Sequence, residues 1–112
     1  MLPKAERVRA SGDFRDIMRT GAKAVRPGLV VHLRRRGAPP SRAGFVVSKA
    51  VGNAVTRNLV KRRLRHLSVG LLRESPFPVD MVVRARPGAS AVELGPQLRS
   101  AFQAGCARLG DS

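Results

Sequence analysis

Seven side chains between residues 49 and 65 carry the chemistry most visible in this chain: Lys49, Asn53, Arg57, Asn58, Lys61, Arg62 and Arg65. Arg57, Lys61 and Arg65 recur every four residues, and Asn58 and Arg62 each follow one of them by a single position. On a helix turning about 100° per residue, these five fall on one side. No acidic residue lies between Gly52 and His66 to neutralise them. A guanidinium offers a planar fork of donors to phosphate oxygens and base edges. A carboxamide offers a donor and an acceptor suited to a base or a ribose. The chemistry of such a pattern is recognition of a polyanion. Basic five-residue runs such as Lys61–Arg65 are common on solvated helix faces, but this one has company. Arg34, Arg35, Arg36, Arg84 and Arg86 add positive charge on or beside candidate strands, and together they describe a composite RNA surface.

Bond-breaking by the protein's own side chains has little support. The acids Glu6, Asp13, Asp16, Glu74, Asp80, Glu93 and Asp111 are scattered. Asp13 and Asp16 fall in the first turns of a candidate helix, where they compensate its dipole. His32 and His66 stand far apart with no metal-ligand spacing around either. The chain lacks a nucleophile elbow, a phosphate-loop lysine motif and a dinucleotide glycine motif. Cys106 sits among small and apolar residues and reads as a core thiol.

Composition agrees with a binding role. The 112 residues fit one domain, and the 43% hydrophobic content is too high for a disordered basic tail. Residues 1–10 form a basic, partly extended arm and residues 110–112 a short tail. The net charge is +15, from 22 Lys and Arg against 7 Asp and Glu, and 18 of the 22 are Arg. A domain so charged repels itself unless an anion accompanies it, and nucleic acid is the first candidate, ahead of an acidic membrane surface. No run reaches the length of a spanning helix, and residues 1–7 lack the apolar stretch of a signal peptide. A single cysteine excludes an internal disulfide, so a reducing cytoplasm is the default location.

The elements that must position these residues can be read in order. Ser11 is placed to cap a first helix whose stripe is Phe14, Ile17 and Met18, with Gly21 ending it. A short strand near Lys23–Arg26 precedes a strand over Leu29–Arg36, on which Leu29, Val31 and Leu33 alternate with Val30, His32 and Arg34. After the loop at residues 37–41, Ala43–Lys49 reads as a strand pairing with Leu29–Arg36 as a hairpin. Alternation turns His32 outward, where it could stack or hydrogen-bond, and Phe14 lies on a groove beside Met18. Asn53 caps a helix over Ala54–Leu72 whose apolar stripe is Val60, Leu64, Leu67 and Leu71. Val79–Arg86 is a further strand, with Val79, Met81, Val83 and Ala85 on one face. A final helix runs from Glu93 to Leu109, with Pro96 suited to its first turn. The expected architecture is a small single-domain α+β fold, one sheet with helices largely on one side. The strands flanking the basic helix are candidates for a parallel pair.

The run Ser48-Lys49-Ala50-Val51-Gly52-Asn53-Ala54-Val55-Thr56-Arg57-Asn58-Leu59-Val60-Lys61-Arg62-Arg63-Leu64-Arg65 resembles the basic-helix motif of the protein subunit of bacterial ribonuclease P. Asp13-Phe14, Leu29–His32 and Asp80–Arg86 extend the resemblance over about residues 5–105. It implies an α-β-β-β-α-β-α fold with a left-handed crossover through the basic helix, like the second domain of a small-subunit ribosomal protein. It implies two RNA partners, the ribonuclease P RNA and the 5′ leader of precursor tRNA, with no membrane and no obligate protein partner. Cleavage and its Mg2+ ions would belong to the RNA subunit, with no cofactor held by the protein. By position, Lys49, Asn53, Arg57, Asn58, Lys61, Arg62 and Arg65 would meet the RNA subunit. Phe14, Met18, Arg26, His32, Ser48 and Arg86 would line the leader path. The chain departs from the family at Ala50, where a second lysine is common, and at Met18 and His32, where Phe or Tyr is common. A more electrostatic hold on the leader is therefore expected. The alternative is a general RNA-binding module or RNA chaperone with no part in cleavage.

Overall fold

A computed structural model describes residues 4–110. Helix α1 spans Ser11–Thr20, and strands β1, β2 and β3 span Ala22–Val25, Leu29–Arg35 and Arg42–Val46. Helix α2 spans Ala54–Glu74, strand β4 Val79–Ala85 and helix α3 Leu94–Gly110, with 3-10 turns at Lys4–Glu6, Lys49–Val51 and Ala89–Ala91. The order is the expected α-β-β-β-α-β-α of a small α+β domain.

The sheet order is β1-β2-β4-β3. This corrects the expected hairpin: β2 and β3 do not pair. Strand β4 enters between them, antiparallel to β2 and parallel to β3. Its run Val79–Val83 is buried throughout, as befits a central strand covered on both faces. The parallel β3–β4 pair is joined through α2, the crossover that parallel strands require.

Two cores flank the sheet. On one face Leu29, Val31 and Leu33 of β2 and Val79, Met81 and Val83 of β4 pack with Val60, Leu64 and Leu71 of α2 and Leu98 and Phe102 of α3. Gly105 brings α3 close to β2, since a Cβ there would lie 2.5 Å from Leu33 Cδ1. On the other face Val82 packs with Val8, Ile17, Phe14, Met18 and Val46. Helix α1 therefore covers the face opposite α2 and α3, which refines the one-sided arrangement expected from sequence.

The helix ends follow local chemistry. Asn53 Oδ1 accepts from the Thr56 N–H at 2.9 Å and starts α2. Ser11 does not cap α1; the capping position is Ala10, without a side-chain bond. Gly21 ends α1 in an extended conformation, and a Cβ there would stand 2.7 Å from the Ile17 carbonyl and 2.8 Å from that of Leu33. Of the expected basic, partly extended arm over residues 1–10, residues 1–3 lie outside the described residues and the next ones pack against the domain. Lys4–Glu6 turn, Arg7 bridges to Ala43, and the Val8 N–H donates to the Ala43 carbonyl at 2.9 Å. This lays the segment along the outer edge of β3, where bare strand groups would invite foreign pairing. Gly110 closes α3, so of the expected tail only residues 111–112 lie outside the described residues. Among the described residues, no helix is long and apolar enough to cross a membrane.

Candidate nucleic-acid interface

Helix α2 presents the basic face that its spacing predicts. Val60, Leu64 and Leu71 bury its inner side, which turns Asn58, Arg62 and Arg65 out as exposed residues. Arg57 and Lys61 are half-buried, and with Val47, Ala54 and Asn58 they line a small polar cleft of about 170 Å³. The Arg57 Nε is buried and has no hydrogen-bond partner among the described residues. Lys49 is exposed on the turn before the helix. Among the described residues, no ion pair reaches Lys49, Arg57, Lys61, Arg62 or Arg65. A row of cations with no internal counter-charge among the described residues can meet an external anion through its exposed donors. Asn53 differs from the others because its side-chain oxygen is committed to the helix cap.

The other predicted set divides. Phe14, Met18 and His32 gather where α1 crosses the sheet. The Phe14 ring lies over Gly44, where a Cβ would come within 2.5 Å of it. A shallow cleft of about 660 Å³ opens beside it between α1 and β3, lined by Ser11, Phe14, Arg15, Phe45, Val46 and Val47. Ser48 is exposed just beyond β3, and Arg86 just beyond β4. Arg26 is turned toward α3, since its Nε donates to Ser100 Oγ at 3.1 Å and its carbonyl accepts from Arg86 Nη1 at 2.9 Å.

His32 is not turned to solvent as alternation alone suggested. Alternation puts it on the correct sheet face, but α1 covers that face and leaves the side chain 3% exposed. Its Nε2 accepts from Arg84 Nε at 3.1 Å. Burial, then the charges of Arg84 and Lys23, push its pKa down to about 4 against a smaller opposing effect of the Met18 backbone. The ring is therefore neutral at neutral pH, as an acceptor of that hydrogen bond must be. The group it steadies is the half-exposed Arg84, which sequence reasoning counted as general charge and did not place in the groove. Only the register places it there: Arg84 pairs with Val30, which sets it beside His32 on one sheet face, and no local sequence signal gives that pairing.

The two sets meet. A small pocket of about 150 Å³ at the β3 edge is lined by Phe14, Val8 and Gly44 together with Lys61 and Arg65 of α2. The basic helix and the cleft under α1 thus form adjoining parts of one surface. Among the described residues, no three His, Cys, Asp or Glu side chains come together. Burial raises the pKa of the Cys106 thiol against a weaker opposing hydrogen bond from Ser75, and its side chain borders the main core.

The model of the ribonuclease P family matches residues 2–110. The ribonuclease P protein component of Kocuria rhizophila is 53% identical over 104 residues, covering 90% of this chain and 92% of that protein. Its counterpart from Streptomyces bikiniensis is 54% identical over 98 residues, covering 80% of each. The RNase P protein of Staphylococcus aureus superposes with a TM-score of 0.73 at 28% identity, covering 91% of this chain and 93% of that one. The RNase P protein of Thermotoga maritima, solved with 1-(4-fluorophenyl)-2-thiourea, gives 0.77 at 28% identity, covering 86% and 96%.

Proposed function

The chain belongs to the ribonuclease P protein family, and from that membership we propose a division of labour in which it docks on the catalytic RNA through α2 and holds the 5′ leader of precursor tRNA against the sheet. As a ribonuclease P protein component it is a subunit of an endoribonuclease holoenzyme. Cleavage belongs to the RNA subunit, whose Mg2+ ions supply the chemistry. The protein's part is positional and electrostatic. Its α2 cations lower the repulsion between RNA strands, and the α1–β3 cleft fixes the leader relative to the scissile bond.

The observation that carries this reading is the unpaired cation row on α2, continuous with the Phe14 cleft through the pocket at the β3 edge. A helix face alone would serve any polyanion. A basic face joined to a cleft between helix and sheet serves two segments of RNA at once. Arg84 supplies a guanidinium on the sheet face beside this cleft, consistent with a leader hold that depends on charge more than on stacking.

The test is reconstitution. The purified chain, its cognate RNA subunit and precursor tRNA are combined at low magnesium. Cleavage restored by the protein, and absent with protein alone, supports the reading. Tight RNA binding with no effect on cleavage supports an RNA chaperone, and cleavage by protein alone sinks the division of labour.

A further inference from the structure

A second concentration of charge lies at the other end of the sheet, away from the start of α2. Asp80 sits on the central strand β4, with Arg42 of β3 and Arg34 of β2 as its register neighbours. Its side chain is 3% exposed. Arg42 grips it with both arms of the fork, Nε to Oδ1 at 2.8 Å and Nη2 to Oδ2 at 3.1 Å. That bidentate pair fills two of the carboxylate's roughly four acceptor sites. Two further guanidiniums converge on it. Arg34 Nη2 stands 3.1 Å from Oδ2, and Arg36 Nε stands 3.6 Å from Oδ1 while its Nη1 donates to the Pro40 carbonyl. Next to them Arg35 stacks on the Phe77 ring at 4.1 Å.

Four ordered guanidiniums thus share one strand end. The carboxylates among them are Asp80 and Asp13, the latter 3.7 Å from Arg42 Nη1. The excess falls on Arg34 and Arg36, whose side chains remain 31% and 26% exposed. Each has donors left after its contact with Asp80, since a guanidinium carries five. Both help to hold Asp80, yet neither spends all its donors on it. Their half-exposed, tethered state is the arrangement that binds an anion without first losing side-chain freedom.

We propose that Arg34 and Arg36, held in place by Asp80, form a phosphate-binding site for the RNA backbone, separate from both the α2 face and the α1–β3 cleft. Helix α1 lies over the row containing Gly44, Val82 and His32, between this site and the cleft. Asp80 is about 13 Å from Arg84 along β4 at the ordinary strand rise. An RNA engaged here follows the far side of α1. The phosphate could belong to the RNA subunit or to precursor tRNA, and the experiment distinguishes them. The inference rests on the reading that RNA is the partner.

The test compares wild type with the Arg34→Gln/Arg36→Gln variant, which keeps the Arg42–Asp80 fork. Binding of the protein to the RNA subunit, and of precursor tRNA to the assembled holoenzyme, is measured across a salt series. The expected result is a plot of log K against log salt that is flatter by about 1–2 for one of the two RNAs, the source of the phosphate. Unchanged slopes for both RNAs, with a folded variant, would overturn the proposal. If the double variant does not fold, Arg34→Gln alone decides, with a slope change of about 0.7–0.9 expected and none overturning. Wild-type protein that binds neither RNA would instead defeat the underlying reading of RNA as the partner.

Discussion

With its ring buried beneath α1 and bonded to Arg84, His32 couples the groove to pH. Its folded pKa of about 4 lies below the unfolded value of about 6.5. Between these values the unfolded chain binds the proton more readily, so stability is complete above about pH 6.5 and declines as pH falls toward 4. The full loss is about 3 kcal/mol. His32→Gln, which keeps an acceptor for Arg84, should flatten that part of the stability profile measured by urea unfolding from pH 7 to 4. Asp80 acts in a lower window. Burial raises its pKa, but hydrogen bonds and charge from Arg42, Arg34 and Arg36 outweigh burial and leave it below the usual carboxylate range. Its contribution is present above the unfolded value of about 3.9 and lost as pH falls through the lower folded one. Asp80→Asn should cost about 3 kcal/mol or more at pH 7, because it leaves guanidiniums facing a neutral amide. An unfolding series extended below pH 4 should show its acid limb reduced. Neither residue's setting was legible in sequence. Alternation gave each its sheet face, but not what covers that face or how many arginines the register gathers there.

At the scale of elements, α2 depends on its first turn. Asn53→Ala should cost about 1 kcal/mol in thermal unfolding, by loss of the Thr56 N–H acceptor. It should also weaken RNA-subunit binding, since Arg57 lies in the turn that frays. Asn53→Ser restores an acceptor without restoring a carboxamide. Recovery of both stability and affinity is expected, and recovery of stability alone would assign the amide a direct RNA contact. The cap, the apolar stripe and the basic face of α2 were all readable, because helical periodicity and capping chemistry are local. The pairing of β2 and β3 was misread because strand partners are not local. The loop at residues 37–41 suits a hairpin, yet β4 lies between the two strands. A clue was present in Val79, Met81, Val82 and Val83, apolar on both faces as only a covered central strand needs to be. The residues that build the α2 face follow one period and were found together. Arg84 was missed because its importance depends on that sheet order and on α1.

Across the whole molecule, the α2 cations from Arg57 to Arg65 occupy only about 12 Å of a helix about 31 Å long. The cleft lies on the opposite sheet face, reached around the β3 edge. Loss of one contact should therefore leave the other largely intact. Arg57→Ala should flatten the salt dependence of RNA-subunit binding by about 1. Phe14→Ala should spare that binding and weaken the holoenzyme's affinity for precursor tRNA with a long leader, by roughly 1–3 kcal/mol if a base stacks there. Filter binding with long- and short-leader substrates checks both. A loss of RNA-subunit binding in both variants would refute the assignment of Phe14 to the leader path.

The two cores are unequal, and this bears on motion. Helix α1 is held by a small cluster around Val8, Ile17 and Val82, whereas α2, α3 and the sheet share the large one. Backbone amides of α1 should then exchange with deuterium through a partial opening of lower free energy than global unfolding, ahead of those in β4 and the middle of α2. The roof of the cleft would lift while its floor and the basic helix stay folded, giving an RNA strand a way in from the side as well as from its end.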